Sequence, residues 1–106
     1  MSFQLGAALL DACVLAVLTK EDTYGYVLTQ QVREVMNISE STLYPVLRRL
    51  QKDEYVITYD QAFQGRNRRY YQITSSGRKK YKEYILEWKE YKINVDKILL
   101  GGSLSE

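Results

Sequence analysis

The chain has no histidine, one cysteine and one proline in 106 residues. Each shortage closes a class of function. Without His, neither a Cys/His zinc site nor a Ser-His or Cys-His catalytic pair can be assembled, and no clustered acid pair replaces them. An enzyme is therefore the weakest reading, and neither a metal nor a cofactor is expected. A lone Cys13 can form no internal disulfide, and inside an apolar helical stretch it reads as a small core residue. Long apolar runs are also missing. The amino terminus, MSFQLGAALLDACVLAVLTK, lacks a positive n-region, and Asp11 and Lys20 interrupt it before it could span a bilayer. A soluble, cytoplasmic protein without a membrane partner is expected. Before the last few residues no Pro/Gly/Ser-rich stretch separates two units, so one compact domain is expected.

What the chain does have is unevenly placed charge. Residues 33 to 82 hold 11 Lys and Arg against 5 Asp and Glu, net +6, while the remainder holds 4 against 8, net −4. Local positive charge, more than the formal total of +2, is the signal for nucleic acid.

From Leu5 to about Lys20, Leu5, Leu9, Ala12 and Ala16 on one side and Leu10, Val14, Leu15 and Leu18 on another cover most of a helix circumference. A helix apolar all round is buried all round. One face can meet the domain's own core, so the other is expected to meet a second subunit or a long helix. Asp22 or Thr23 can cap a second helix from about Tyr24 to Met36, with Tyr24, Leu28, Val32 and Val35 inward. Gly25 in its first turn lowers helix propensity, which points to a close approach by a neighbouring helix.

After Asn37 and Ile38, Ser39 or Ser41 can cap a third helix. Leu43, Val46, Leu47 and Leu50 form its inward stripe. At about 100° per residue, Ser41, Tyr44, Pro45, Arg48, Arg49 and Lys52 fan over the opposite face. Pro45 removes a backbone bond and is tolerated near the first turn, so the regular helix is expected to begin close to Ser41 or to bend there. Next come two runs rich in β-branched and aromatic residues, YVITY (55–59) and RRYYQI (68–73), joined by QGRN. This predicts a hairpin in which Gly65 and Asn67 accommodate φ > 0, and Arg66, Arg68 and Arg69 lie at or beside the tip.

Thr74 to Leu100 reads as one long helix capped by Thr74 or Ser75, with Gly77 in its first turn. Tyr81, Tyr84, Trp88, Tyr91, Val95 and Ile98, with Ile85 and Leu99 beside them, make a helix-helix seam. The fold class is mainly α (α+β): a winged helix-turn-helix over 1–74, a carboxy-terminal dimerisation helix over 75–100, and a flexible tail over 101–106.

A basic helix followed by a basic hairpin points to duplex DNA. Ser41, Thr42 and Tyr44 are placed to meet base edges or phosphates in the major groove, and Arg48, Arg49 and Lys52 to neutralise the backbone or read guanine. Arg66, Arg68 and Arg69 would add the wing's contacts. Either feature alone is an ordinary solvated surface; their order in one chain makes them support each other.

The sequence also resembles the PadR family of bacterial transcriptional regulators, especially short members with one carboxy-terminal helix. The shared residues are Tyr24-Gly25-Tyr26, Thr42-Leu43-Tyr44-Pro45, Leu47-Arg48-Arg49-Leu50, Arg69-Tyr70-Tyr71, and Thr74 with Gly77. A departure is Glu54-Tyr55, where such proteins often have Gly before the first wing strand. The resemblance implies a homodimer held by the first and last helices, binding an inverted repeat near a promoter, usually as a repressor. It also implies a response to phenolic acids or planar drugs, some held at the dimer interface, where Tyr84, Trp88 and Tyr91 could stack on a small aromatic effector. The bland reading of that stripe is packed core. The competing function is a winged-helix module that binds an acidic protein partner without reading DNA sequence.

Overall fold

The computed structural model describes residues 7–101. Four helices and a small sheet follow one another as α1 (Ala7–Lys20), β1 (Thr23–Tyr24), α2 (Gly25–Met36), α3 (Glu40–Lys52), β2 (Val56–Phe63), β3 (Arg66–Ile73) and α4 (Ser75–Leu99). The expectations for Leu5 and for most of the tail fall outside the described residues. Helix α1 is the centre of the packing, touching α2, α3, α4 and β3. Its Leu10, Val14, Leu15 and Leu18 join Leu28 and Val32 of α2, Leu43, Leu47 and Leu50 of α3, and Val56 and Ile73 at the base of the sheet. Burying such side chains contributes roughly 1.5–3 kcal/mol each. The other side of α1 is less deeply covered. Leu9, Cys13, Ala16 and Val17 are half-buried, so Cys13 borders a cleft and is not a core residue.

The start of α2 differs from expectation. Thr23 and Tyr24 are extended and pair with Tyr71 and Tyr70 of β3, so Tyr24 takes the cap position with no side-chain capping bond. Gly25 is indeed a close approach, but to a strand and not to a helix: a Cβ there would stand 3.2 Å from Cε1 of Tyr71 and 3.7 Å from the Arg69 carbonyl oxygen. Val35 is also misassigned, being 78 % exposed. The buried arc of α2 runs through Leu28, Thr29 and Val32, with Met36 against the core, which leaves Val35 at its edge in the last turn.

Helix α3 matches its pattern closely. All four stripe residues are buried, and the Ser39 side chain caps the helix by accepting from the Thr42 N–H at 3.2 Å. Pro45 lies one turn in. The residue whose carbonyl loses its partner is Ser41, which is exposed, so water can serve it. The helix ends where Glu54 turns into the left-handed region at φ 65°; its N–H donates to Gln51 O, and the Tyr55 N–H donates to Leu50 O. That is a Schellman ending, and Glu54 occupies the position that favours Gly.

The sheet is antiparallel with order β1-β3-β2. The β2–β3 hairpin is longer than predicted, pairing Val56 with Ile73 at its base and Phe63 with Arg66 at its tip. Its turn is only Gln64 and Gly65, at φ 52° and 78°, which is a type I′ geometry. Asn67 therefore lies in a strand rather than in the turn, because the ladder continues past it.

Helix α4 is capped by Thr74, whose hydroxyl accepts from the Gly77 N–H at 3.0 Å and donates to the Glu54 carbonyl at 2.7 Å. Gly77 has a steric reason: a Cβ would fall 2.1 Å from the Tyr55 carbonyl oxygen. With 25 residues, α4 is about 37 Å long. Its first half packs on α1; its far end leaves Ile98 and Leu99 82 % and 74 % exposed.

Candidate nucleic-acid interface

The outward face of α3 begins with hydroxyls. Ser39 Oγ lies 2.9 Å from Ser41 Oγ and 3.1 Å from Thr42 Oγ1, so three alcohols cluster at the helix start. Such a terminus presents N–H groups and partial positive charge, a natural seat for a phosphate. Ser41, Thr42, Tyr44, Arg48, Arg49 and Lys52 are all exposed. The turn before them is held by Arg33, whose Nε donates to the Ile38 carbonyl at 2.8 Å while Nη1 lies 3.8 Å from Glu40.

Tyr71 of β3, a residue absent from the site expected from sequence, packs over the start of α2. Its ring covers Gly25, and burial raises its phenol above the ordinary value, with Tyr44 adding to that shift and Arg69 and Arg48 opposing it. The tyrosine thus joins β3 to the start of α2, within electrostatic range of Tyr44 and Arg48 on α3. Its position inside Arg69-Tyr70-Tyr71 was visible, but its contact with Gly25 required the fold.

The three wing arginines diverge. Arg66 is exposed beside the turn. Arg69 is also exposed and lies 3.5 Å from Asp60 across the ladder. Arg68 is set on the other face of β3, its guanidinium carbon 4.0 Å from the Phe63 ring centroid and 4.6 Å from that of Tyr24. Such cation-aromatic contacts hold the side chain against the sheet. On that same face Tyr59 and Tyr70 stack at 5.6 Å, and Asp22 accepts from the Tyr59 hydroxyl at 2.7 Å and from Gln72 Nε2 at 3.0 Å.

Arg49 also has an internal bond. Its Nη1 and Nη2 donate to Asp11 Oδ2 and Oδ1 at 2.8 and 2.7 Å, and the Tyr84 hydroxyl donates to Oδ2 at 3.0 Å. Asp11 is 3 % exposed. The hydrogen bond to Asp11 raises the Arg49 pKa, against the opposing effect of its own desolvation. Burial, reinforced by Asp11, pushes the Tyr84 phenol upward.

Tyr84 and Trp88, with Tyr81 and Ile85, form one wall of an apolar cleft of about 170 Å³ against Leu9, Ala12, Cys13 and Ala16 of α1. Burial raises the Cys13 thiol pKa in that setting. Tyr91 is outside the cleft lining, its ring tilted against Trp88 at 6.2 Å between centroids. The seam therefore divides: its first turns face α1, and its last turns carry uncovered apolar side chains.

Among the described residues no group of three or more His, Cys, Asp or Glu could hold a metal ion, and no helix is long and apolar enough to cross a membrane. Comparison with known proteins is consistent with this architecture. Residues 14–83 match the model of the transcriptional regulator PadR-like family. A structure of smu.1704 from Streptococcus mutans superposes with a TM-score of 0.84 at 42 % identity, over 95 % of both chains. The PadR-like transcriptional regulator BC4206 of Bacillus cereus superposes with a TM-score of 0.78 at 30 % identity, over 88 % of this chain and 93 % of that one. An uncharacterized protein of Lysinibacillus sphaericus is 36 % identical over 97 residues, which is 87 % of this chain and 89 % of that protein. The chain belongs to the PadR-like family: it is a winged-helix, DNA-binding transcriptional regulator and not an enzyme.

Proposed function

We propose that the protein is a cytoplasmic repressor that binds an inverted-repeat operator as a homodimer. The supporting observation is the exposed face of α3, where Ser41, Thr42 and Tyr44 lead and Arg48 and Lys52 follow, with the basic β2–β3 wing next in the chain. Those five residues enter the major groove, and Arg66 and Arg69 contact the flanking backbone. Arg49 and Arg68 serve the architecture instead, since one is paired with Asp11 and the other lies between two rings.

Residues 1–74 form the reading head and 75–100 the dimerisation helix. The exposed Ile93, Ile98 and Leu99 support this division, because apolar groups on a helix that has run past its own core need a partner. Two-fold symmetry then sets two α3 helices about 34 Å apart, one DNA turn. A small aromatic effector binds in the cleft beside Tyr84 and Trp88. At about 170 Å³ the cleft suits a single-ring molecule more than a drug-sized one, whose pockets start near 300 Å³.

Selection of bound sequences from a random duplex pool tests this reading. A recovered palindrome supports dimeric DNA reading; absence of any sequence preference favours the protein-interaction alternative. On the recovered duplex, Arg48→Ala or Arg66→Ala is expected to weaken binding and to flatten its salt dependence by about one counterion each. Unchanged Trp88 fluorescence and operator affinity across a panel of phenolic acids would remove the effector.

A further inference from the structure

We propose that Asp11 and Tyr84 are positioning residues for DNA recognition, fixing the rotation of α3 by clamping Arg49. The inference rests on the DNA-reading role of α3. Its basis is one buried carboxylate that joins three helices: Asp11 on α1 takes both arms of the Arg49 guanidinium on α3 and the hydroxyl of Tyr84 on α4. These contacts cross 38 and 73 residues of sequence.

The inward stripe of α3 consists only of Leu and Val. Apolar packing decides which face of the helix turns inward, and a directional bond on its flank is what can narrow the remaining few degrees of roll. A two-pronged guanidinium-carboxylate pair is directional in both distance and plane. Arg48 precedes Arg49 by one residue and is turned from it by about 100°. Tyr44 lies one turn behind Arg48. Holding the Arg49 fork therefore sets the azimuth at which Arg48 and Tyr44 meet a groove. The third arm of the clamp registers that azimuth to α4, the helix that extends beyond the domain.

An alternative role for Arg49 is a direct phosphate contact, and the two make opposite predictions. A phosphate contact needs only charge, which Lys retains; the clamp needs the planar fork, which Lys lacks. Tyr84→Phe removes the third arm while preserving ring shape and every charge.

The test measures affinity of wild type, Tyr84→Phe and Arg49→Lys for a duplex selected with the wild type and for a random-sequence duplex of equal length. Salt dependence is recorded for each, and circular dichroism confirms folding at the assay temperature. The clamp predicts that both variants lose about tenfold in preference for the selected duplex, with salt slopes like the wild type's because no phosphate contact is lost. Wild-type preference in Tyr84→Phe overturns the proposal whatever Arg49→Lys does. So does a loss of equal size on both duplexes, which reports lost attraction and not lost aim. If the wild type itself prefers no duplex, the DNA reading fails first and the proposal with it.

Discussion

Two aspartates each hold a tyrosine hydroxyl and one further donor group, but in opposite settings. Asp11 is buried among α1, α3 and α4 and receives Arg49 and Tyr84; Asp22 lies at the outer face of the sheet and receives Tyr59 and Gln72. The bond lengths are similar. What differs is the cost of removing a partner. Water replaces a lost bond at the exposed Tyr59, whereas a buried carboxylate deprived of its cation has little access to that replacement. Similar residue types therefore make a structural joint in one place and a surface decoration in the other.

The strongest way to break this comparison is Arg49→Ala, which leaves Asp11 buried with Tyr84 as its remaining donor from the clamp. A loss of about 2–4 kcal/mol is expected, the lower end reflecting the partial exposure of the guanidinium. Urea unfolding measures it, and a loss below 1 kcal/mol would place Asp11 among the surface pairs. Tyr84→Phe should cost about 1–2 kcal/mol at neutral pH, by loss of one bond to a charged acceptor.

The Tyr84 effect has a sign in pH. Its folded-state pKa is raised by burial and by Asp11, so its contribution is complete below the unfolded value of about 10 and declines as pH rises above that. The stability gap between wild type and Tyr84→Phe should accordingly narrow through pH 10 to 11 in parallel denaturation curves. A gap that widens there contradicts the buried, proton-donating phenol.

Glu54→Gly concerns the backbone between the two regions. It should stabilise by about 0.5–1 kcal/mol, because φ 65° carries a penalty for any residue with a Cβ. A lowered melting temperature would show that the Glu54 side chain has a role of its own. The smallest effect is expected at the half-buried Asp22: Asp22→Ala should change stability by no more than about 0.5 kcal/mol, because water can replace its bond to the exposed Tyr59 hydroxyl. A larger loss would make Asp22 a structural joint like Asp11.

Much of the DNA-facing half was legible because it is local. The inward stripe of α3, the Ser39 cap and the Thr74 cap are patterns contained within a few residues, and all appear in the structure. The hairpin was legible as two strands, but not its two-residue turn, since Gln64 is an unusual residue for positive φ and the polar composition of QGRN suggested a longer loop. Strand β1 has two residues, too few for any alternation, and exists only because β3 offers an edge. Gly25 signalled a close approach without naming the neighbour, which proved to be Tyr71.

The sequence by itself determined the order of the four helices and the hairpin, the inward face of α3, and its basic outer face. Side-chain periodicity and capping act over one or two helical turns, and a single chain records them directly. The tertiary structure alone decided the fate of the charges. Asp11 reads as an interruption in an apolar helix, and Arg49 as one more cation beside Arg48; only packing three helices together makes them partners. The physical reason is that burial and directional pairing depend on groups far apart in sequence, and no local pattern encodes which distant donor will meet a buried carboxylate.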